Sequence, residues 1–185
     1  YALMHQWFID NRADDQFCVD MINFHTYPSN GLDGQFSGDR AKSPEWYHFG
    51  EVCKTFVAHC KRFAPTTPVA ISEWGFETNT SAQSPNDYPN NLKYDVAAGW
   101  AFRTYLNFAK SGMGPIIWFN IYDNDGVKQT NTDTYVMSGL LDSNLVLKKT
   151  GRALNNLSTM LSNKTWTVAE DTAAHYYSMT NGSEK

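Results

Sequence analysis

Three short apolar stretches in this chain are each followed by a longer segment in which apolar residues return every three or four positions. The short stretches are residues 18–25, 69–75 and 115–122, and their length and β-branched or aromatic content predict strands. Behind the first, Ser43-Pro44 reads as a helix start, with an N-cap serine and proline at the first helical position. Trp46, Phe49, Cys53, Phe56 and Cys60 then repeat at helical spacing until Pro65 and Pro68 stop the run. Behind the second strand, residues 94–110 carry Ala97, Trp100, Ala101, Tyr105 and Phe108 on one side, and Gly112 and Gly114 end them. Behind the third, residues 149–161 place Leu154, Leu157 and Leu161 together. A short helix ending near Asn11 precedes the first strand. The tail offers two strand-like pieces, 165–169 and 174–179. The order is one helix, three strand–helix units and a β-rich end, the pattern of an α/β chain with a parallel sheet.

The second strand ends on Glu73, between apolar residues and Trp74-Gly75. A carboxylate beside a buried strand costs free energy unless something compensates it, so Glu73 is either half of an ion pair with a nearby Arg or Lys or a group placed for chemistry. Alternation along the strands widens that choice. Asn23, His25 and Tyr27 share one face of the first strand, opposite Ile22 and Phe24. Val69, Ile71 and Glu73 line up in the second. In the third, Trp118, Asn120 and Tyr122 lie opposite Ile117, Phe119 and Ile121. In a parallel layout the C-terminal strand ends converge, so His25, Tyr27, Glu73, Trp118 and Tyr122 are expected to line one cavity. The polar, turn-rich segments 28–42 and 78–91 follow those ends, where βα units carry active-site groups.

Composition narrows the partners. A net charge of −4 and the absence of a basic tract argue against nucleic acid or an anionic membrane surface. No apolar run reaches the roughly 18–20 residues that span a bilayer. The 42% hydrophobic content is that of a globular chain, and 15% aromatic residues is an excess of flat ring surface. Three cysteines make no disulfide framework, and Cys53 and Cys60 are expected to face the core. Asp123-Asn124-Asp125-Gly126 lacks the calcium-loop pattern, since Val127 stands where the third ligand belongs. No His/Cys cluster has zinc spacing, and no phosphate loop or nucleophile elbow is present. No metal and no cofactor is expected.

The run Asp20-Met21-Ile22-Asn23-Phe24-His25-Thr26-Tyr27, then Ile71-Ser72-Glu73-Trp74-Gly75, Ile117-Trp118-Phe119 and Ser138-Gly139-Leu140-Leu141 resembles the C-terminal half of a clan-A glycoside hydrolase. The cellulase-like and xylosidase-like families, 5 and 39, are nearest in flavour. The resemblance runs from residue 1 to 161 and implies the C-terminal part of a (β/α)8 TIM barrel, about strands 6–8 with their helices. It implies a partial barrel domain over residues 1–162, followed at 163–185 by the start of a small β-domain. By the same likeness Glu73 is the catalytic nucleophile. His25 and Tyr27 flank it and hold the sugar, and Trp118 floors the subsite. Asn23, Tyr122 and Asp123 are further substrate-binding candidates.

A complete barrel needs roughly 250 residues, so the chain is expected to be a fragment. Its N-terminal partner half would carry strands one to five and the acid/base glutamate. The function so implied is hydrolysis of O-glycosidic bonds in oligo- or polysaccharides by a retaining double displacement, the chain supplying the nucleophile half. A secreted or periplasmic location follows from that function class alone. Two alternatives stay open. One is a non-catalytic carbohydrate-binding or scaffold protein that kept the barrel. The other is a self-sufficient small α/β fold in which Glu73 has an unrelated role.

Overall fold

The computed structural model describes residues 10–11, 19–26, 43–45, 48–76, 78, 94–123, 138–162, 165–171 and 176–182. Three strands, β1 (Ile22–His25), β2 (Val69–Trp74) and β3 (Ile116–Trp118), pair in parallel in the order β1-β2-β3. Helix α1 (Phe49–Phe63) links the first two and α2 (Tyr94–Lys110) the next two, while α3 (Lys149–Leu161) follows β3. A separate antiparallel pair, β4 (Thr167–Asp171) and β5 (Tyr176–Thr180), closes the described chain. The strand–helix alternation is as the periodicity predicts. The helix expected before β1 lies outside the described residues, apart from helical Asp10 and Asn11.

Apolar stripes on the helices cover one side of the sheet. Phe49, Cys53 and Cys60 of α1 are buried, and Phe56 stacks on Phe24 of β1 with ring centroids 4.0 Å apart. Burial also pushes the Cys53 thiol up to about 12, so it stays neutral as a small core residue. From α2, Ala97, Ala101 and Phe108 join Val69, Ile71 and Trp74 in the core. The end of α2 is a Schellman turn. Gly112 has φ 79°, its N–H donates to Ala109 O at 3.0 Å, and Met113 N–H donates to Phe108 O at 3.1 Å. Only a residue free of Cβ crowding takes that φ cheaply, and the turn leads directly into β3.

Two elements begin or end differently from the sequence pattern. Helix α1 starts at Phe49 rather than after Ser43-Pro44, because Pro44, Glu45 and His48 are in turn conformation. His48 N–H donates to Glu45 O and Phe49 N–H to Pro44 O, at 3.1 and 3.0 Å, and His48 is left-handed at φ 50°. That turn is tied to α2 by Arg103, whose Nε lies 2.5 Å from Glu45 Oε1 and Nη2 3.3 Å from Oε2. Strand β3 ends at Trp118 instead of running to Tyr122. Beyond it the backbone pairs with residues 140–141, Leu141 N–H donating to Ile121 O and Asp123 N–H to Leu141 O, both at 2.9 Å.

The Glu45–Arg103 pair makes a pH prediction. Burial raises the Glu45 carboxyl, but the Arg103 hydrogen bonds and charge outweigh it and hold it below the ordinary glutamate value. A depressed folded-state pKa stabilises the fold above the unfolded value, and that contribution disappears as pH falls through the folded one. Thermal unfolding followed from pH 6 to pH 3 is expected to show a smaller acid-induced fall in Tm for Glu45→Gln than for the unsubstituted protein.

Candidate active site

The candidate site stands at the C-terminal edge of the parallel sheet, where a break in strand register decides which side chains meet. Ile22, Asn23 and Phe24 pair with Val69, Ala70 and Ile71 in step, but His25 pairs with Glu73. On the other side Ile71 pairs with Ile116 and Trp74 with Trp118. Strand β2 therefore holds one more residue than either neighbour between Ile71 and Trp74, a β-bulge of the kind that re-aims side chains. The expected alignment of Val69, Ile71 and Glu73 on one face is corrected by it. Val69 and Ile71 are core residues, whereas Glu73 comes opposite His25.

His25 Nδ1 lies 3.2 Å from Glu73 Oε2, with the side chains 52% and 34% exposed. Both groups thus meet at an open face rather than inside the core. The imidazole therefore stands within ion-pair distance of the carboxylate, beside one of its oxygens. Past the bulge the pairing continues, Thr26 N–H donating to Glu73 O at 3.2 Å. Asn23 is exposed on the same face as His25, as the alternation predicts. Tyr27 lies outside the described residues.

Trp74 and Trp118 pair across β2 and β3 and pack edge to face at 4.8 Å, and Trp74 meets Phe108 of α2 at 5.2 Å. This tryptophan pair belongs to the helix-covered side. The Trp118 indole N–H donates to Ser138 O at 2.7 Å, and its ring also faces Phe76 at 6.4 Å. Trp118 is therefore tied to the segment behind the sheet. Glu73 immediately precedes Trp74 and Phe119 immediately follows Trp118, so alternation puts both on the other side of the sheet. Phe119 N–H donates to Trp74 O at 2.7 Å, continuing the ladder. Sequence reasoning missed Phe119 because its face follows from a bulge that only strand pairing reveals. Gly75 permits this close approach, since a Cβ there would come within 2.5 Å of Phe119 O.

Tyr122 is 57% exposed and pairs with Leu141 as an isolated bridge. Asp123 is buried. Its carboxylate accepts from Lys148 Nζ at 2.8 and 2.9 Å and from Gly139 N–H at 2.8 Å. The structure thus brings His25 and Glu73 together, packs Trp118 against the core, buries Asp123 against Lys148 and Gly139, and leaves Tyr122 exposed. Among the described residues no group of three His, Cys, Asp or Glu side chains is placed to hold a metal ion. None of their helices is long and apolar enough to cross a membrane.

A parallel βαβαβα run with a carboxylate at a strand's C-terminal end is the architecture of a (β/α)8-barrel segment, and solved structures share it. The chain superposes on a GH5_18 protein from Streptomyces cattleya in complex with Manβ1-4GlcNAc with a TM-score of 0.57 at 19% identity, covering 79% of this chain and 32% of that one. A family 39 glycoside hydrolase from Bacteroides cellulosilyticus gives 0.54 at 20% identity, covering 89% and 31%. A β-glucuronidase from Ruminococcus gnavus gives 0.55 at 11%, covering 80% and 24%. No protein-family model and no curated protein matches the sequence. The fold is that of part of a (β/α)8 barrel, and the chain spans about a third or less of the structures it matches.

Proposed function

We propose that this chain is the nucleophile-bearing part of a retaining glycosidase, with Glu73 as the nucleophile. The observation that carries the reading is the His25–Glu73 pair, 3.2 Å apart and open to solvent at the C-terminal edge of a parallel sheet. Active sites of barrel enzymes lie on that edge, and the matched structures are glycoside hydrolases by name. In the proposed reaction a Glu73 oxygen forms a bond to the anomeric carbon as the glycosidic C–O bond breaks. A second carboxyl, roughly 5–5.5 Å away, gives its proton to the departing oxygen. Water, deprotonated by that same group, then attacks the anomeric carbon and releases Glu73. The second carboxyl and the remaining strands would come from polypeptide beyond this chain, which covers only about a third of the barrels it resembles.

His25 holds Glu73 in the attacking orientation, and Asn23 on the same face takes part in sugar binding, as does Tyr27. Phe119, on the Glu73 side, provides the flat apolar floor under the sugar. Phe119→Ala is accordingly expected to lower kcat/KM by about tenfold, roughly 1.4 kcal/mol of lost contact, with the change falling on KM. Trp118→Phe is expected to leave KM nearly unchanged. Steady-state kinetics on an aryl glycoside would decide, and a larger KM effect at Trp118 would count against this placement.

The test of the function is covalent trapping. The full-length protein, treated with 2-deoxy-2-fluoro glycosyl fluorides of common sugars, should accumulate a glycosyl ester, and peptide mass spectrometry should place it on Glu73. Hydrolysis with inversion at the anomeric centre, or an ester on another residue, would refute the assignment. Saturable binding of oligosaccharides without turnover would favour the non-catalytic alternative.

A further inference from the structure

Asp123 and Lys148 form an ion pair with side chains 0% and 1% exposed, 25 residues apart in sequence and outside the chemistry proposed above. A buried ion pair is weak evidence of a stabilising role, since well-packed apolar residues of similar volume often serve as well. Its neighbours explain why it sits there. Asp123 lies five residues past the end of β3, and Lys148 stands just before the first residue of α3. Asp123 Oδ1 also accepts the Gly139 N–H, and Lys148 N–H donates to Leu140 O at 2.8 Å. The strap of residues 138–141 is thus pinned between β3 and α3.

Backbone bonds from Leu140 N–H to Asn120 O at 3.3 Å and from Leu141 N–H to Ile121 O at 2.9 Å hold that strap beside the chain past β3, and a side-chain bond ties it to Trp118. Ser138, next to Gly139, accepts the Trp118 indole N–H at 2.7 Å. Trp118 packs on Trp74, and these two residues flank Phe119 and Glu73 in the chain. The approach is tight: a Cβ on Gly139 would collide with backbone atoms of Tyr122 and Asp123 and would come within 2.6 Å of Leu141 O. A strap seated this closely leaves little room for Ser138 O to shift.

We infer that Asp123 is a positioning residue: with Lys148 it fixes the 138–141 strap, which through Trp118 sets the end of β3 beside Glu73. The inference rests on the glycosidase reading for its kinetic consequence, but not for its structural one. It also replaces direct sugar contact as the role of Asp123, whose buried carboxylate is bonded to Lys148 and Gly139.

The experiment uses the double variant Asp123→Leu/Lys148→Met in the full-length protein, which removes both charges and fills the site with apolar side chains of similar size. Its Tm is expected to fall by a few degrees, since the buried Gly139 N–H loses its acceptor, with the protein still folded at the assay temperature. Its kcat is expected to fall about 10- to 100-fold, the scale of a misplacement of about 1 Å, with KM within about threefold. The Trp118 indole N–H resonance, assigned by its loss in Trp118→Phe, is expected to shift in the double variant. Unchanged kcat would overturn the inference, and so would an unmoved indole resonance. Should the double variant fail to fold, the cycle of Asp123→Asn with Trp118→Phe decides instead. Acting along one path, the two substitutions lower kcat less than additively, whereas strict additivity overturns the proposal. Absence of glycosidase activity in the unsubstituted protein would sink the catalytic reading alone, because the indole resonance still reports whether the pair holds Trp118.

Discussion

Glu73→Gln in the full-length protein is expected to lower kcat on the order of 10⁴-fold, about 5 kcal/mol of transition-state stabilisation, while sugar binding stays measurable. The substitution is nearly isosteric, and the side chain is one-third exposed and not part of the core, so folding should be undisturbed. The amide keeps its place beside His25 but is too weak a nucleophile to form the glycosyl ester. Because a bond made by Glu73 is proposed for the first step, the loss should fall on kcat and kcat/KM together. Glu73→Ala should be rescued by azide, which attacks the anomeric carbon from the vacated side and gives a glycosyl azide of inverted configuration. Substantial activity in the Gln variant would leave Glu73 as an oriented but non-reacting carboxylate.

Much of the scaffold around Glu73 is written in local pattern. Helices α2 and α3 have the bounds that their apolar stripes predict, because a stripe at helical spacing needs only one face to bury and Gly112 supplies the stop. The His25–Glu73 meeting is legible at the level of strand ends converging on one edge. The face on which each side chain stands is not. It depends on the β2 bulge, which arises from pairing with two neighbours at once and leaves no mark in the spacing of Val69, Ile71 and Glu73. Alternation read without the bulge brings Trp118 forward and hides Phe119; pairing reverses the two.

Other misreadings share that cause. Ser43-Pro44 looks like a helix start because cap chemistry is local, but Arg103 of α2 holds Glu45 in a preceding turn and delays the helix to Phe49. Asp123 looks like a sugar ligand because it follows a strand end, yet its partner Lys148 is 25 residues further on. In each case a long-range polar contact overrides a correct short-range signal. Burial of the carboxylates is the property a sequence states least well.

The largest stability effect is expected from Trp74→Ala, about 3–5 kcal/mol, read from the denaturation midpoint in urea. Trp74 is 1% exposed and meets Phe108 and Trp118 edge to face. Alanine would leave a cavity between β2, α2 and β3 that neither backbone can close, since Phe119 N–H is bonded to Trp74 O and Gly75 already lies against Phe119 O. Trp74→Phe should cost clearly less. Phenylalanine keeps part of the edge-to-face packing, and it also removes an indole N–H that is buried with no partner among the described residues, a group whose desolvation works against the fold. A Phe variant as unstable as the Ala variant would mean that Trp74 is held by something other than its packing. Because Trp74 adjoins Glu73, the Ala variant should lose activity at temperatures where it remains folded, with Glu73 no longer braced from behind.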